Sequence, residues 1–266
     1  MPRHPRKRRL AVALLAAAFA NPPAQAQTQG AEGPSPPASP PGLREDIRAF
    51  ASAPLRWRGR EWLQFGGVLA ATSLAYQYDN RVRKHFGNDG EPNYHEVADS
   101  MPSAFVFGGM WFADKLAHSE EARREHLAMR RAIVLETLSS EVLKVAFRRE
   151  RPGPGVSRNG WGDGGLSFPS GHTATAFAIG TVLAESGDDR HRWLRRVMGY
   201  GLGIGTAYQR INHDAHWLSD TVAGAALGIV TARFVLQRRE QPEPRGAVAF
   251  VPTPWGTSLT YTVPLR

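Results

Sequence analysis

An all-α fold, a helical bundle ending in a short C-terminal β-hairpin, is what this 266-residue sequence predicts. Two observations carry the helical part. Between Leu43 and Glu240 apolar residues recur at helical spacing or in unbroken runs, with few strand-like alternations. Clusters of Gly and Pro, notably "NDGEPN" (88–93) and "RPGPGVSRNGWGDGG" (151–165), fall between those stretches and punctuate them. A third observation predicts the hairpin: "GAVAFVPTPWGTSLTYTVPLR" (246–266) holds two β-prone runs, Ala247–Val251 and Ser258–Val263, around a turn at Pro252–Gly256. No period of 20–50 residues repeats, which excludes a solenoid, and the length suits one large domain with a real core.

Taken in order, the first 26 residues, "MPRHPRKRRLAVALLAAAFANPPAQA", open with five basic residues. An apolar run from Leu10 to Ala20 follows, then the small-x-small site Ala24-Gln25-Ala26. This pattern predicts a secretory signal peptide over 1–26, hence export to a periplasm. Residues 27–43 are rich in Pro, Ser and Gly and predict a disordered linker. The helical domain should run over 44–240, with helices at 44–53, 58–77, about 93–115, 118–149, 172–186, 191–208 and 216–239. Residues 241–266 form the β-prone tail; a lone hairpin is marginal in water, so it should dock or stay mobile.

Composition narrows the function. The chain carries 33 Lys and Arg against 24 Asp and Glu, but the leader holds five of those bases and no acid, so the remainder is close to +4. With no basic-aromatic platform, nucleic acid is not an expected partner. There is no cysteine, which excludes disulfides, thiolate metal sites and a Cys nucleophile. Charge-free apolar runs at 62–76, 101–113 and 173–184 fall short of the ~20 residues that span a bilayer. The longest candidate, 217–236, contains Asp220 and Arg233 and carries Gly224 and Gly228 at GxxxG spacing. It fits a buried core helix of a soluble or peripheral protein and also an integral one.

Three segments carry chemistry. In "LSFPSGHTATAF" (166–177), Ser170 and Gly171 open a helix-like run, and a helix start offers free N–H groups and a positive dipole end to an anion. His172 stands at its lip. In "EVLKVAFRRERPG" (141–153), Lys144 and Arg151 are two helical turns apart, and Pro152 should end that helix. Arg148, Arg149 and Glu150 read as a solvated charge run, and the pair taken alone would read the same way. In "YQRINHDAHWLSDTVAG" (208–224), His216 and Asp220 are four apart on an expected helix, so the carboxylate can fix the imidazole tautomer. Arg210 lies in the loop leading in. Alone, this too would read as a surface His beside a helix-start acid.

Together the segments say more. Lys144-x6-Arg151-Pro152, Pro169-Ser170-Gly171-His172 and Arg210-x5-His216-x3-Asp220 occur in that order, and "PSGH" alone arises by chance about once in 10^5 positions. The set resembles the type 2 phosphatidic acid phosphatase superfamily, which also includes class A bacterial acid phosphatases and vanadium-dependent haloperoxidases. The resemblance covers about residues 132–236, with Gln209 standing where the family often has Ser.

That resemblance implies a helical phosphatase bundle and a role for each motif residue. Lys144, Arg151 and Arg210 would hold phosphate oxygens with Ser170 and the Gly171 amide. His216 would attack phosphorus, Asp220 would orient it, and His172 would protonate the leaving oxygen and then activate water. No metal or other cofactor is implied. The expected partner is a phosphorylated substrate, a lipid phosphate or isoprenoid diphosphate before a soluble ester, with a membrane surface nearby. The rivals are a haloperoxidase, in which His216 would bind vanadate, a nonspecific acid phosphatase, and a non-enzymatic envelope protein. The aromatic stretch "FVFGGMWF" (105–112) reads as core or an acyl-facing wall. The glycines of 153–167 suit a mobile rim, with Trp161 either touching substrate or filling the loop.

Overall fold

The computed structural model describes residues 42–87, 119–186 and 191–240, together with the backbone of two strands at 247–253 and 256–262. The expected signal peptide, nearly all of the linker, the helix at about 93–115 and its aromatic stretch lie outside the described residues. Six α-helices are described: α1 (Leu43–Ser52), α2 (Gly59–Phe86), α3 (Glu120–Phe147), α4 (Gly171–Glu185), α5 (Arg192–Asn212) and α6 (Leu218–Glu240). Strands β1 (Ala247–Thr253) and β2 (Gly256–Thr262) pair antiparallel, with Ala247 opposite Thr262 and Thr253 opposite Gly256.

Local chemistry sets the helix starts. Glu45 accepts the Gly42 N–H and Glu61 the Arg58 N–H, each a carboxylate satisfying a donor ahead of its helix. Ser119 Oγ caps α3 through the Ala122 N–H at 3.1 Å, with Glu120 and Glu121 in the positive first turn. One difference from the expected helices matters for the site. α3 stops at Phe147 rather than 149, because Arg148 turns into the left-handed region at φ 47° and its N–H closes on the Lys144 carbonyl. Lys144 and Arg151 therefore do not share a helix face. The helix ends between them, and each reaches the site from a different stretch of chain: Lys144 from α3 beside Gly171, Arg151 from the loop beside Ala215.

α4 is the centre of the bundle, packed on α3, α5 and α6; α6 also packs on α2 and α3. Its buried positions are filled by small residues, Ala174, Ala176, Ala178, Gly180 and Ala184, so neighbouring backbones approach closely. A Cβ on Gly180 would run into the Gly199 carbonyl of α5, and one on Gly228 into the Ala174 carbonyl. Around this axis Phe50, Phe65, Leu135, Leu143, Phe168, Val182, Leu227 and Phe234 form the core. α1 is fastened from outside by buried Asp46, which accepts from Arg131 of α3 at 3.0 Å and Arg238 of α6 at 2.8 Å.

α6 has the length and composition of a membrane span over Leu218–Arg238, and most of that stretch is buried inside the bundle. Large apolar side chains are nonetheless exposed on other helices: Trp62, Leu63 and Leu74 on α2, and Trp193, Val197, Met198 and Ile204 on α5.

Candidate active site

The site forms where the start of α4, the end of α3, the end of α5 and the start of α6 converge. Ser170, the residue ahead of α4, donates its backbone N–H to the Asp220 carbonyl of α6 at 3.0 Å. Its hydroxyl is buried against Thr173 Oγ1 at 3.0 Å. Gly171 and His172 begin the first turn of α4 and are partly exposed. A Cβ at Gly171 would stand 3.5 Å from the Lys144 Nζ, which brings that ammonium to the helix start; it is paired with Glu141 at 2.8 Å. Arg151 reaches the Ala215 carbonyl at 3.5 Å.

The third segment differs from its expected form in two ways. Arg210 is not in a loop: it sits in the last turn of α5, buried, and its carbonyl accepts the Ala215 and His216 N–H groups. His216 is not on a helix with Asp220, because α6 begins at Leu218. Asp220 lies in the first turn of α6 and accepts the Trp217 N–H at 3.0 Å, so it stabilises the helix start that places it.

Asp220, Arg151 and Arg210 act on the His216 ring, which is buried. Its Nδ1 lies 2.8 Å from the Ser167 carbonyl. A carbonyl can only accept, so Nδ1 carries the hydrogen and Nε2 keeps its lone pair. Asp220 is 3.7 Å from Nδ1 and acts on the ring through its charge. The expectation that this carboxylate fixes the tautomer is therefore corrected: the Ser167 carbonyl does so. Burial pushes the His216 pKa below the ordinary 6.5; Asp220 opposes that shift, while Arg151 and Arg210 add to it. Burial works to raise the Asp220 carboxyl, but the His216 ring, Arg149 and Ser167 outweigh it and hold it below its ordinary value. A neutral imidazole with a free Nε2, flanked by cations, is a nucleophile suited to an anionic electrophile.

Sequence reasoning missed four participants. Arg149, read as part of a solvated run, is fully buried. Its guanidinium donates to Asp220 at 2.5 Å, Ser219 Oγ at 2.7 Å and Asp79 at 2.7 Å. Ser167 Oγ donates to the other Asp220 oxygen at 2.5 Å, and Ser219 and Asp79 complete the network. The one available signal was the end of α3. Once the chain is extended after Arg148, side chains alternate, so Arg149 turns inward while Arg151 stays exposed.

The loop after α3 is tied down. Arg158 donates to the carbonyls of Tyr76 and Gln77 on α2 at 3.0 and 2.9 Å, and Asn159 accepts from the Tyr76 hydroxyl. Trp161 packs on Phe147 and Phe168 and stacks 4.4 Å from the Arg149 guanidinium. Between this loop and α2 lies a cavity of about 450 Å³, lined by Phe65, Leu69, Tyr76, Phe147, Trp161 and Phe168, with Ser219 at one wall.

Residues 126–242 match the family model of the PAP2 superfamily. Over 91 residues it is 40% identical to the lipid A 1-phosphatase of Porphyromonas gingivalis, a match covering 34% of this chain and 18% of that protein. Over 69 residues it is 38% identical to the bacitracin transport permease protein BcrC of Bacillus licheniformis, covering 26% of this chain and 32% of that one. The chain thus matches under a fifth of the first relative's length and about a third of the second's. Among solved structures, a transmembrane PAP2-type phosphatidylglycerolphosphate phosphatase from Bacillus subtilis aligns at 19% identity and a TM-score of 0.44, over 64% of this chain and 92% of that one.

Proposed function

We propose that the protein is a phosphatase that hydrolyses lipid phosphates or isoprenoid diphosphates through a phosphohistidine at His216. One observation supports this reading: the buried His216 holds Nδ1–H on the Ser167 carbonyl, which leaves Nε2 its lone pair for attack, and burial together with Arg151 and Arg210 lowers the pKa of the ring. In the first step Nε2 attacks phosphorus and the bond from phosphorus to the leaving oxygen breaks, the ester bond of a monophosphate or the anhydride bond of a diphosphate. His172 supplies the proton that leaves with the alcohol of the ester or the monophosphate of the diphosphate. In the second step His172 takes a proton from water, whose oxygen attacks phosphorus, and the P–N bond breaks to return His216. Lys144, Arg151, Arg210, Ser170 and the Gly171 amide hold the equatorial oxygens, where charge spreads in the transition state.

A lipid substrate is supported by the apolar cavity beside the site, by the exposed apolar side chains of α2 and α5, and by a relative named for lipid A phosphate. The basic and apolar opening of the sequence supports export, which would put the reaction on the outer side of a membrane.

The test is phosphate release by the purified chain, with His216→Ala as control. The panel is phosphatidic acid, phosphatidylglycerol phosphate, undecaprenyl diphosphate, a lipid A phosphate and a soluble aryl phosphate. Release from lipids that is lost in the variant is the expected result. Release from the aryl ester alone would mark a nonspecific phosphatase, and none from any of them would overturn the reading.

A further inference from the structure

Behind His216 lies a buried charge cluster that the motif residues do not account for. Arg149 is fully buried, as is Asp220, and Asp79 is 1% exposed. The guanidinium divides its donors between the two carboxylates, giving one nitrogen to Asp220 at 2.5 Å and the other to Asp79 at 2.7 Å. Ser219 joins them: its hydroxyl accepts from Arg149 and donates to Asp79 at 2.7 Å, and its backbone N–H donates to the other Asp79 oxygen at 2.8 Å. Burial raises the Asp79 pKa above its ordinary value, and the donors from Arg149 and Ser219 that face both its oxygens oppose that shift and favour the ionised carboxylate. Trp161, Trp217 and Tyr76 enclose the guanidinium and keep water away.

The charges decide what this arrangement does. Arg149 and Asp220 alone would cancel. Asp79 makes the cluster −1 overall, and Asp220 is its member nearest the imidazole. When neutral His216 attacks phosphorus, its ring becomes a cation. Buried at low dielectric beside a neutral pair, that cation would lack compensation; beside a net negative cluster it is stabilised. The other charges acting on His216 are Arg151 and Arg210, which a bound phosphate would offset, and His172 stands at the α4 start.

We infer that Asp79 is a positioning residue for the reaction at His216: by serving as the second counter-charge of Arg149, it leaves Asp220 a net charge to offer the imidazole. This rests on the phosphohistidine reading above. Asp79 lies on α2, outside the segment that matches the superfamily.

The experiment compares Asp79→Asn, Arg149→Met and the double variant. The readouts are kcat and KM with an aryl phosphate and the ring pKa of His216 by NMR, with thermal unfolding as the fold control. Asp79→Asn removes a negative charge, so the His216 pKa falls and kcat drops about tenfold with KM nearly unchanged. The double variant restores the net charge of −1 and should recover most of that loss and the wild-type pKa. A purely structural role predicts the opposite, a double variant slower than either single one. That outcome, or an Asp79→Asn protein with unchanged kcat and pKa, would overturn the proposal. If Asp79→Asn does not fold, the double variant carries the test by itself. The NMR pKa responds whether or not phosphate is released, so failure of the phosphatase reading would show in wild-type activity and failure of Asp79's role in the ring titration.

Discussion

His216 Nδ1 sits 2.8 Å from the carbonyl of Ser167 and 3.7 Å from the carboxylate of Asp220. The two partners divide work that a carboxylate often does alone. Ser167 sets which nitrogen carries hydrogen, and Asp220 supplies charge. Asp220→Asn should therefore keep the correct tautomer and lose about 100-fold in kcat, less than the ~10^4 seen where a carboxylate also fixes the tautomer. Because Asp220 raises the His216 pKa, its loss should also move the acid limb of kcat/KM to lower pH, from a wild-type limb already below 6.5. A pH–rate profile of both proteins checks the size and the sign together.

Glu136 gives a prediction about stability. It is buried in α3, receives hydroxyls from Thr175 at 2.5 Å and Thr137 at 3.0 Å, and burial lifts its pKa from 4.5 to about 7. The folded state thus holds this proton more tightly than the unfolded chain. That stability is fully present below pH 4.5 and is lost as pH rises through about 7. Glu136→Gln, neutral at every pH, should be more stable than wild type above pH 8 by roughly 3 kcal/mol and show little advantage below pH 4.5. Melting temperatures across that range would show the advantage growing as pH rises.

The cavity between α2 and the loop after α3 predicts a split between substrates. Leu69 lines it from α2 and is not one of the motif residues. Leu69→Trp should fill the space and raise KM for a long-chain lipid phosphate about tenfold, while a soluble aryl phosphate is affected less than about twofold. Equal effects on both substrates would remove the cavity from substrate binding.

Gly224 lets α6 lie against the start of α4. A Cβ there would enter the Ser170 carbonyl. Gly224→Ala should destabilise the fold by about 1–3 kcal/mol through overpacking and lower kcat/KM by displacing Ser170 and Gly171. Calorimetry and phosphate release measured on the same preparation would show both losses.

The helices were legible because their signals are local: apolar spacing and Gly/Pro stops placed six elements to within a few residues, except at the C-terminal ends of α2 and α5. α2 continues nine residues past the expected end at 77, to Phe86, carrying Asp79 within it. That polar turn, "DNRVRKHF", lacks apolar periodicity and is held by tertiary partners. Arg83 pairs with Asp214 at 3.2 Å, and Asn212 donates to the Phe86 carbonyl at 2.8 Å. The motif residues were legible because their order and spacing are specific. Their supports were not. Arg149 stood in a run of charges whose ordinary fate is solvent, and only the reversal at Arg148 buries it. Its partner Asp79 is 70 residues away, a separation no local pattern bridges. The glycines of the loop after α3 suggested a mobile rim, whereas Arg158 and Asn159 strap it to α2 through contacts that depend on the assembled bundle.

The position of α2 bears on how this architecture can be transplanted. Residues 126–242 hold every motif residue, so a chimaera built from them would look complete on paper. It would lack one of the two acids that grip Arg149 and the helix wall that closes the apolar cavity. A buried guanidinium stripped of a partner is costly, and the graft would have to recruit a substitute acid from its new host. The recognisable segment and the working unit have different borders in this protein, and a designer or a recombination event that respects only the first would inherit the signature without its support.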